Sequence, residues 1–219
     1  MKIEIAQEIK SICPNFVGAV LYADIVNTDY NDALWNEIRE HESWIRQQKA
    51  DFIKEMTPLQ STRLAYKALG KDPSRYRPAA ESLIRRISKG QELYEVNTAV
   101  DLINLASMQT GYSIGGFDSD KIIGDAVLGV GKADEMYEGI GRGVLNIEKL
   151  PVYRDNLGGF GTPTSDHERT KLSLETKHIT VLINGYDGNE QGVAHCAEII
   201  GQLLKKYTST QHYEIKIYR

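Results

Sequence analysis

The apolar and polar positions of this chain fall into two periods, one of a strand and one of a helix. From Phe16 to Val26 the run Phe-Val-Gly-Ala-Val-Leu-Tyr-Ala-Asp-Ile-Val is short, apolar and rich in β-branched residues, which predicts a mostly buried strand. Asp29 to Gln48 then sets Leu34, Ile38, Glu42 and Ile45 at helical spacing, with Trp35 and Trp44 beside that stripe, and predicts an amphipathic helix laid on a sheet. Pro58 to Leu69 repeats the helical pattern and stops at Gly70, with Lys71-Asp72-Pro73 as a turn. Pro78 sits where a first helical residue tolerates proline, and Ala79 to Lys89 continues as a helix that ends before Gly90.

Between Gly111 and Gly161 glycine is dense, and short apolar pieces such as Ile122-Ile123 and Ala126-Val127-Leu128 stand between the glycines, a pattern of short strands joined by tight turns. Ile179 to Ile183 predicts a further strand, Asn189 to Tyr207 an amphipathic helix, and Tyr213 to Tyr218 an alternating closing strand. No repeat, low-complexity tract or linker interrupts this order. The 219 residues, 41% of them hydrophobic, suffice for one sizeable core rather than two, so one domain over 1–219 is expected. Within it lie a strand-helix extension (1–70), a central core (75–185) and a helix-strand end (189–219).

Charge narrows the partners. A net charge of −4 and a pI near 5.8 give no global positive field, so any contact with RNA must come from a local patch. The densest basic cluster is Arg75, Arg77, Arg85, Arg86 and Lys89; it reads either as a solvated face or as a phosphate-contacting patch. Two cysteines, Cys13 and Cys196, show neither metal-ligand spacing nor a disulfide framework, which fits a reducing cytoplasm. The start Met1-Lys2-Ile3-Glu4 has no long apolar core, and no run reaches the roughly 18 apolar residues of a membrane span. His195 and Cys196 are helix neighbours that diverge by about 100°, a poor geometry for a shared metal ion. Gly129-Val130-Gly131 and Gly139-Ile140-Gly141-Arg142-Gly143 lack the strand, spacing and following helix of a phosphate loop and read as tight β-turns.

The most specific signal begins at Asn97, where Asn97-Thr98-Ala99-Val100-Asp101-Leu102-Ile103-Asn104 leads to Gly111 and then to Gly115-Gly116-Phe117-Asp118, followed by Lys121-Ile122. This resembles the B3/B4 tRNA-binding domain, the module that carries the editing site in the beta subunit of phenylalanyl-tRNA synthetase. Val100, Asp101, Asn104, Gly111, Phe117, Asp118, Lys121 and Ile122 fall in register with its pattern, and the similarity runs from about Arg75 to Gly185. Free-standing members look closer still, with a step like Leu83-Ile84-Arg85-Arg86-Ile87 before the asparagine motif and a glycine turn like Gly115 to Asp118. The resemblance implies a layered α+β fold with a β-sandwich-like core and flanking helices, although the order of elements alone also allows an α/β sheet. It further implies hydrolysis of wrongly charged aminoacyl-tRNA by a positioned water and a stabilised oxyanion. This chain departs from the synthetase at two places: Gly115 stands where the editing histidine would be, and Thr180 to Gly185 offers Asn184 but no carboxylate.

The candidate pocket residues are Asn104, Gly115, Gly116, Phe117, Asp118, Asp166 and Arg169. Each polar one has two readings. Asn104 on an inner helix face holds a substrate amino or carbonyl group, or caps a neighbouring turn. Asp118 binds a substrate ammonium, or bonds its own backbone. In the polar loop of Ser165, Asp166, His167 and Arg169, Asp166 or His167 positions a water and Arg169 meets a phosphate or carboxylate, or the loop is simply solvated. No catalytic residue is assigned, and neither a metal nor a cofactor is expected. The expected partner is tRNA or aminoacyl-tRNA, or else a free amino acid, with no DNA or membrane. Trans-editing hydrolysis is the leading expectation; a non-catalytic RNA- or amino-acid-binding module is the alternative. A hydrolase unrelated to tRNA rests only on the polar loop.

Overall fold

Long apolar runs between glycines form two sheets, and the amphipathic stripes pack on one of them. The computed structural model describes residues 1–49 and 51–219. The chain opens with strand β1 (Ile3–Ile5) and helix α1 (Gln7–Ile12), followed by strand β2 (Val17–Asp24) and helix α2 (Asp32–Gln47). Asn31 starts α2 by accepting the Leu34 N–H at 3.1 Å. Helices α3 (Thr57–Ala68), α4 (Ala79–Ser88) and α5 (Thr98–Thr110) follow. Asn97 caps α5 through the Val100 N–H at 3.0 Å, and Gly111 ends it in the left-handed region at φ 78°. The remaining elements are β3 (Ser113–Asp118), β4 (Ala126–Val130), a small hairpin of β5 (Glu138–Gly139) and β6 (Gly143–Val144), then β7 (Pro151–Asp155), β8 (Gly158–Gly161), β9 (His178–Gly185), α6 (Glu190–Tyr207) and β10 (Tyr213–Tyr218).

One sheet has the order β10-β2-β9-β3 and is antiparallel throughout; the other has the order β1-β4-β7-β8 with only β1 and β4 parallel. Alternation along β2 and β9 sends Val20 and Leu182 to one face and Ala19, Leu21, Val181 and Ile183 to the other. The first set meets Ala126, Leu128, Tyr153 and Phe160 of the second sheet, with Phe117 and Phe160 edge to face at 5.1 Å. The second set packs against Leu34 and Ile38 of α2, Ile84 of α4, Leu102 and Leu105 of α5, and Val193 and Ile200 of α6. The result is the expected α+β layering: a two-sheet core with helices on its outer face.

Gly129 and Val130 lie in β4 rather than in a tight turn, Ile122-Ile123 lie in no strand, and two elements depart further from the sequence reading. The Gly115–Asp118 segment is not a turn but part of β3, the edge strand beside β9, with Gly115 opposite Leu182 and Gly116 opposite Val181. Its glycines serve close packing. A Cβ on Gly116 would collide with Ile103 and come within 3.1 Å of Leu172, and one on Gly115 would lie 2.5 Å from the Phe117 ring and 3.0 Å from Asp166 Oδ1. The second departure is β1, which pairs with β4, and α1, which pack through Ile3, Ile5 and Ile9 although a strand of three residues and a helix of six carry too little pattern to announce them.

The excursion between β4 and β7 closes at Gly131, which donates to the Leu150 carbonyl at 2.7 Å and accepts from the Lys149 N–H at 2.9 Å. A Cβ there would overlap the Ile147 carbonyl oxygen, a backbone atom that cannot swing aside. We expect Gly131→Ala to cost about 3 kcal/mol in urea unfolding. Gly143→Asn, at φ 67° with open space around it, should change stability by less than about 0.5 kcal/mol.

Candidate functional site

A cleft of 400 Å³ opens where α5, the β3 edge, the β5–β6 hairpin and the segment after β8 meet. Helix α5 contributes Val100, Ile103 and Asn104, which recur at helical spacing on one face. Val96, just before the Asn97 cap, extends that wall, while β3 gives Ile114 and Gly116, the hairpin tip gives Ile140, and Asp166, Lys171 and Leu172 complete the lining. The volume is within the range of about 300–1,000 Å³ typical of small-molecule sites.

The polar groups of this cleft are few and differently committed. Asn104 is half-buried, and its side-chain amide has no hydrogen-bond partner among the described residues. Lys171 is ion-paired with Glu168. Asp166 is partly exposed to the cleft, yet its carboxyl is pushed well above the ordinary carboxylate range by desolvation, offset only in part by the backbone N–H of Gly116. β3 pairs with β9 alone, and Ile114 and Gly116 of that edge strand line the cleft, so the strand presents backbone groups at its free edge beside it. The site thus holds an unpartnered amide, a raised carboxyl and a free strand edge among aliphatic walls.

Of the pocket residues expected from sequence, Asn104, Gly116 and Asp166 come together in this cleft, and Gly115 lies beneath Asp166. Phe117, Asp118 and Arg169 do not line it. Phe117 is turned into the sandwich, 1% exposed. Asp118 accepts from the Asp120 N–H at 3.2 Å and the Thr176 hydroxyl at 2.9 Å and pairs with Lys121 at 3.1 Å. Arg169 forks onto Asp155 at 2.9 and 3.0 Å and donates to the Lys121 carbonyl at 2.8 Å. Burial would raise the Asp155 carboxyl, but the Ile123 N–H, Arg169 and the Leu157 N–H together hold it below its usual range. His167 accepts the Arg169 N–H on Nδ1 at 2.9 Å and meets Tyr137 edge-on, and burial followed by Arg169 lowers its pKa. Sequence reasoning missed Val96, Val100, Ile103, Ile114, Ile140, Lys171 and Leu172 as lining, and only Val100 with Asn104 at i, i+4 carried a signal.

The basic cluster is divided. Arg85 is tied to buried Glu81 at 2.6 Å, which also takes Arg63 at 2.7 Å. Arg86 donates to the Glu92 carbonyl at 2.5 Å and stacks its guanidinium 3.8 Å from the Tyr94 ring centroid. Arg75, Arg77 and Lys89 are exposed, with no side-chain hydrogen bond or ion pair among the described residues. The start of α4, which follows Arg75 and Arg77, is fastened to the Asp166 loop by the Ala79 N–H on the Pro163 carbonyl at 2.8 Å. No group of three or more His, Cys, Asp or Glu among the described residues could hold a metal ion, and no described helix is long and apolar enough to cross a membrane.

The segment that carries Val96 is held by Asp101, the aspartate of the asparagine motif. Its carboxylate takes the Trp35 indole N–H at 2.9 Å and the Val96 N–H at 3.1 Å while only 1% exposed. Burial raises this carboxyl to about 6, against the lowering effect of those two donors. With a folded-state value above the unfolded 3.8, its contribution to stability is full below about 4 and is lost as pH rises through about 6. In a Trp44→Phe background the fluorescence of Trp35 should therefore titrate with a midpoint near 6. Asp101→Asn should remove that transition; a midpoint unchanged by the substitution would detach it from Asp101.

Comparison with known proteins agrees with this architecture. A family model described as the B3/4 domain matches residues 61–201. Among solved structures the fold is similar to the crystal structure of an N-terminal fragment of the phenylalanyl-tRNA synthetase beta-subunit from Pyrococcus horikoshii, with a TM-score of 0.50 and 13% identity. That likeness covers 98% of this chain and 50% of the other, so this chain spans about half the length of that fragment. No curated protein sequence matches the chain. With the matched segment holding α4, α5, the β3 edge and every lining residue of the cleft, the chain belongs to the B3/4 domain family.

Proposed function

We propose that this protein binds the aminoacyl end of tRNA in the cleft at α5 and β3 and hydrolyses the ester of a wrongly attached amino acid. The observation that carries the reading is the convergence of Asn104 and Asp166 on the free edge of β3. A family related in fold to a synthetase beta subunit supports tRNA as the partner. In this reading carbonyls at the free edge of β3 accept from the substrate ammonium, and the Asn104 amide donates to the ester carbonyl as it becomes an oxyanion. Water adds to the carbonyl carbon, and the bond to the ribose oxygen breaks as that oxygen takes a proton from the Asp166 carboxyl, whose ionisation burial disfavours. The proton given up by the attacking water then returns to the Asp166 carboxylate, which leaves the free amino acid and the tRNA hydroxyl. A Cβ at Gly115 would lie 3.0 Å from Asp166 Oδ1, so the carboxyl fills the space beside the position where the synthetase has its histidine.

Phosphate contacts fall to Arg75, Arg77 and Lys89, whose side chains are uncommitted, whereas Arg85 and Arg86 are engaged with Glu81 and Tyr94. Replacing Arg75 or Arg77 with Ala should weaken tRNA binding uniformly across sequences and lower the salt slope by about 1 for each. Arg85→Ala should act mainly on stability.

A second reading is favoured by one observation: neither a histidine nor a carboxyl lowered towards its ionised form lines the cleft. It is an amino-acid-binding module without turnover. Deacylation of a panel of mischarged tRNAs separates the two. Hydrolysis above the spontaneous rate, reduced about 100-fold in Asn104→Ala and in Asp166→Ala, supports the enzyme. Retained binding with no release from any tRNA leaves the binding module.

A further inference from the structure

We infer that the cleft takes an aminoacyl group with a compact aliphatic side chain, of the valine, leucine and isoleucine class, rather than a tyrosyl or small polar one. This rests on the proposed aminoacyl-tRNA reading and adds the identity of the side chain. Six of the ten lining residues are aliphatic: Val96, Val100, Ile103, Ile114, Ile140 and Leu172. No aromatic ring among the described residues lines the cleft.

The polar groups are few: Asn104 of α5, Asp166 and the free edge of β3 at Ile114 and Gly116 line the cleft beside these aliphatic side chains. Val100 lies one turn before Asn104 on the same helix face, and Val96 precedes it, so the wall leading away from Asn104 is hydrocarbon. Lys171, the remaining polar lining residue, has its ammonium occupied by Glu168. A hydroxyl, amide or charge held along that wall would give up water without a protein partner, whereas a branched aliphatic group gains by the same burial. Depth is limited as well. Ile103 and Leu172 close over Gly116, where a Cβ would collide with the first and crowd the second at 3.1 Å. Ile140 at the hairpin tip covers the cleft while remaining 41% exposed, fixed by its N–H on the Asp166 carbonyl at 3.0 Å.

The test compares tRNAs charged with valine, isoleucine or leucine against those charged with tyrosine, serine or aspartate, using the full chain. In parallel, binding of the matching 3′-aminoacylamido adenosines, which resist hydrolysis, is measured. We expect the aliphatic esters to be cleaved at least about tenfold faster than the others and the aliphatic amides to bind more tightly. Ile140→Asn, at the exposed tip where the fold does not depend on it, should erode that preference, as should Val100→Asn. Faster cleavage of tyrosyl or seryl esters would overturn the aliphatic assignment and leave hydrolysis standing. Preferential binding of aliphatic amides with no ester cleaved would keep the assignment and remove hydrolysis. Neither cleavage nor preferential binding would overturn both.

Discussion

Everything at the cleft depends on how closely other groups approach β3 at residues 115 and 116. On the helix side the missing side chain of Gly116 lets Ile103 and Leu172 lie against the strand, and on the sandwich side Gly115 admits the Phe117 ring and Asp166. Because β3 is an edge strand, this thin place is also where backbone hydrogen-bonding groups remain free. A side chain at either position would push α5 or the Asp166 loop outward. The same close packing that seals the cores therefore forms the floor of the cleft, with the Asp166 carboxyl beside Gly115.

Much of the fold was legible because it followed from strong periodic signals. The stripe Leu34, Ile38, Glu42, Ile45 is the buried face of α2, and Asn97 and Gly111 bracket α5 as cap and stop. Even buried Glu42 kept its place in the stripe, since it accepts the Leu93 N–H at 3.0 Å and pairs with Arg46 at 3.1 Å. The glycine pair at 115 and 116 misled: glycine marks turns most often, and only the pairing with β9 discloses a strand whose neighbours need the space. The candidate site was legible in part for a related reason. Asn104 and Asp166 stood out as polar groups in motif and loop, but Asp118 and Arg169 looked equally available until Thr176, Lys121 and Asp155 were seen to occupy them. Lys121 is one helical turn from Asp118, but Thr176 and Asp155 are 58 and 14 residues from the groups they occupy and leave no local trace. The walls given by Ile140 and Leu172 belong to irregular segments, where no period assigns a face.

Acidic residues divide according to what faces them. Asp155 and Glu135 each meet an arginine, and although burial opposes ionisation, Arg169 and Arg154 with nearby backbone donors keep both carboxyls low. Asp101 and Asp166 are desolvated with no cation paired to them, and both are raised. The first pair holds loops in place. The second pair flanks the cleft, Asp101 through Val96 and Asp166 directly. A chain with net charge −4 thus places its two raised carboxyls beside one opening, where they lose their charge at higher pH than the arginine-paired ones do.

The parts of the cleft differ in how firmly they are tied to the core, and this separates what is recognised from how it is held. Asn104 projects from a helix whose other faces are buried, and the free edge of β3 belongs to a strand with six registered pairs to β9. Ile140 stands on a two-residue hairpin with left-handed glycines at 141 and 143, and Leu172 follows a single turn of helix. Groups that meet the invariant backbone of an amino acid need rigid support, because an error of an ångström there removes the hydrogen bonds that orient it. Groups that meet the side chain need only the right volume and polarity, which short loops can change without disturbing either core. In the proposed reading, α5 and β3 therefore carry the groups that hold an aminoacyl backbone together with the Val100 and Ile114 part of the apolar wall, and the hairpin and the segment after β8 add the part of that wall that can change most freely.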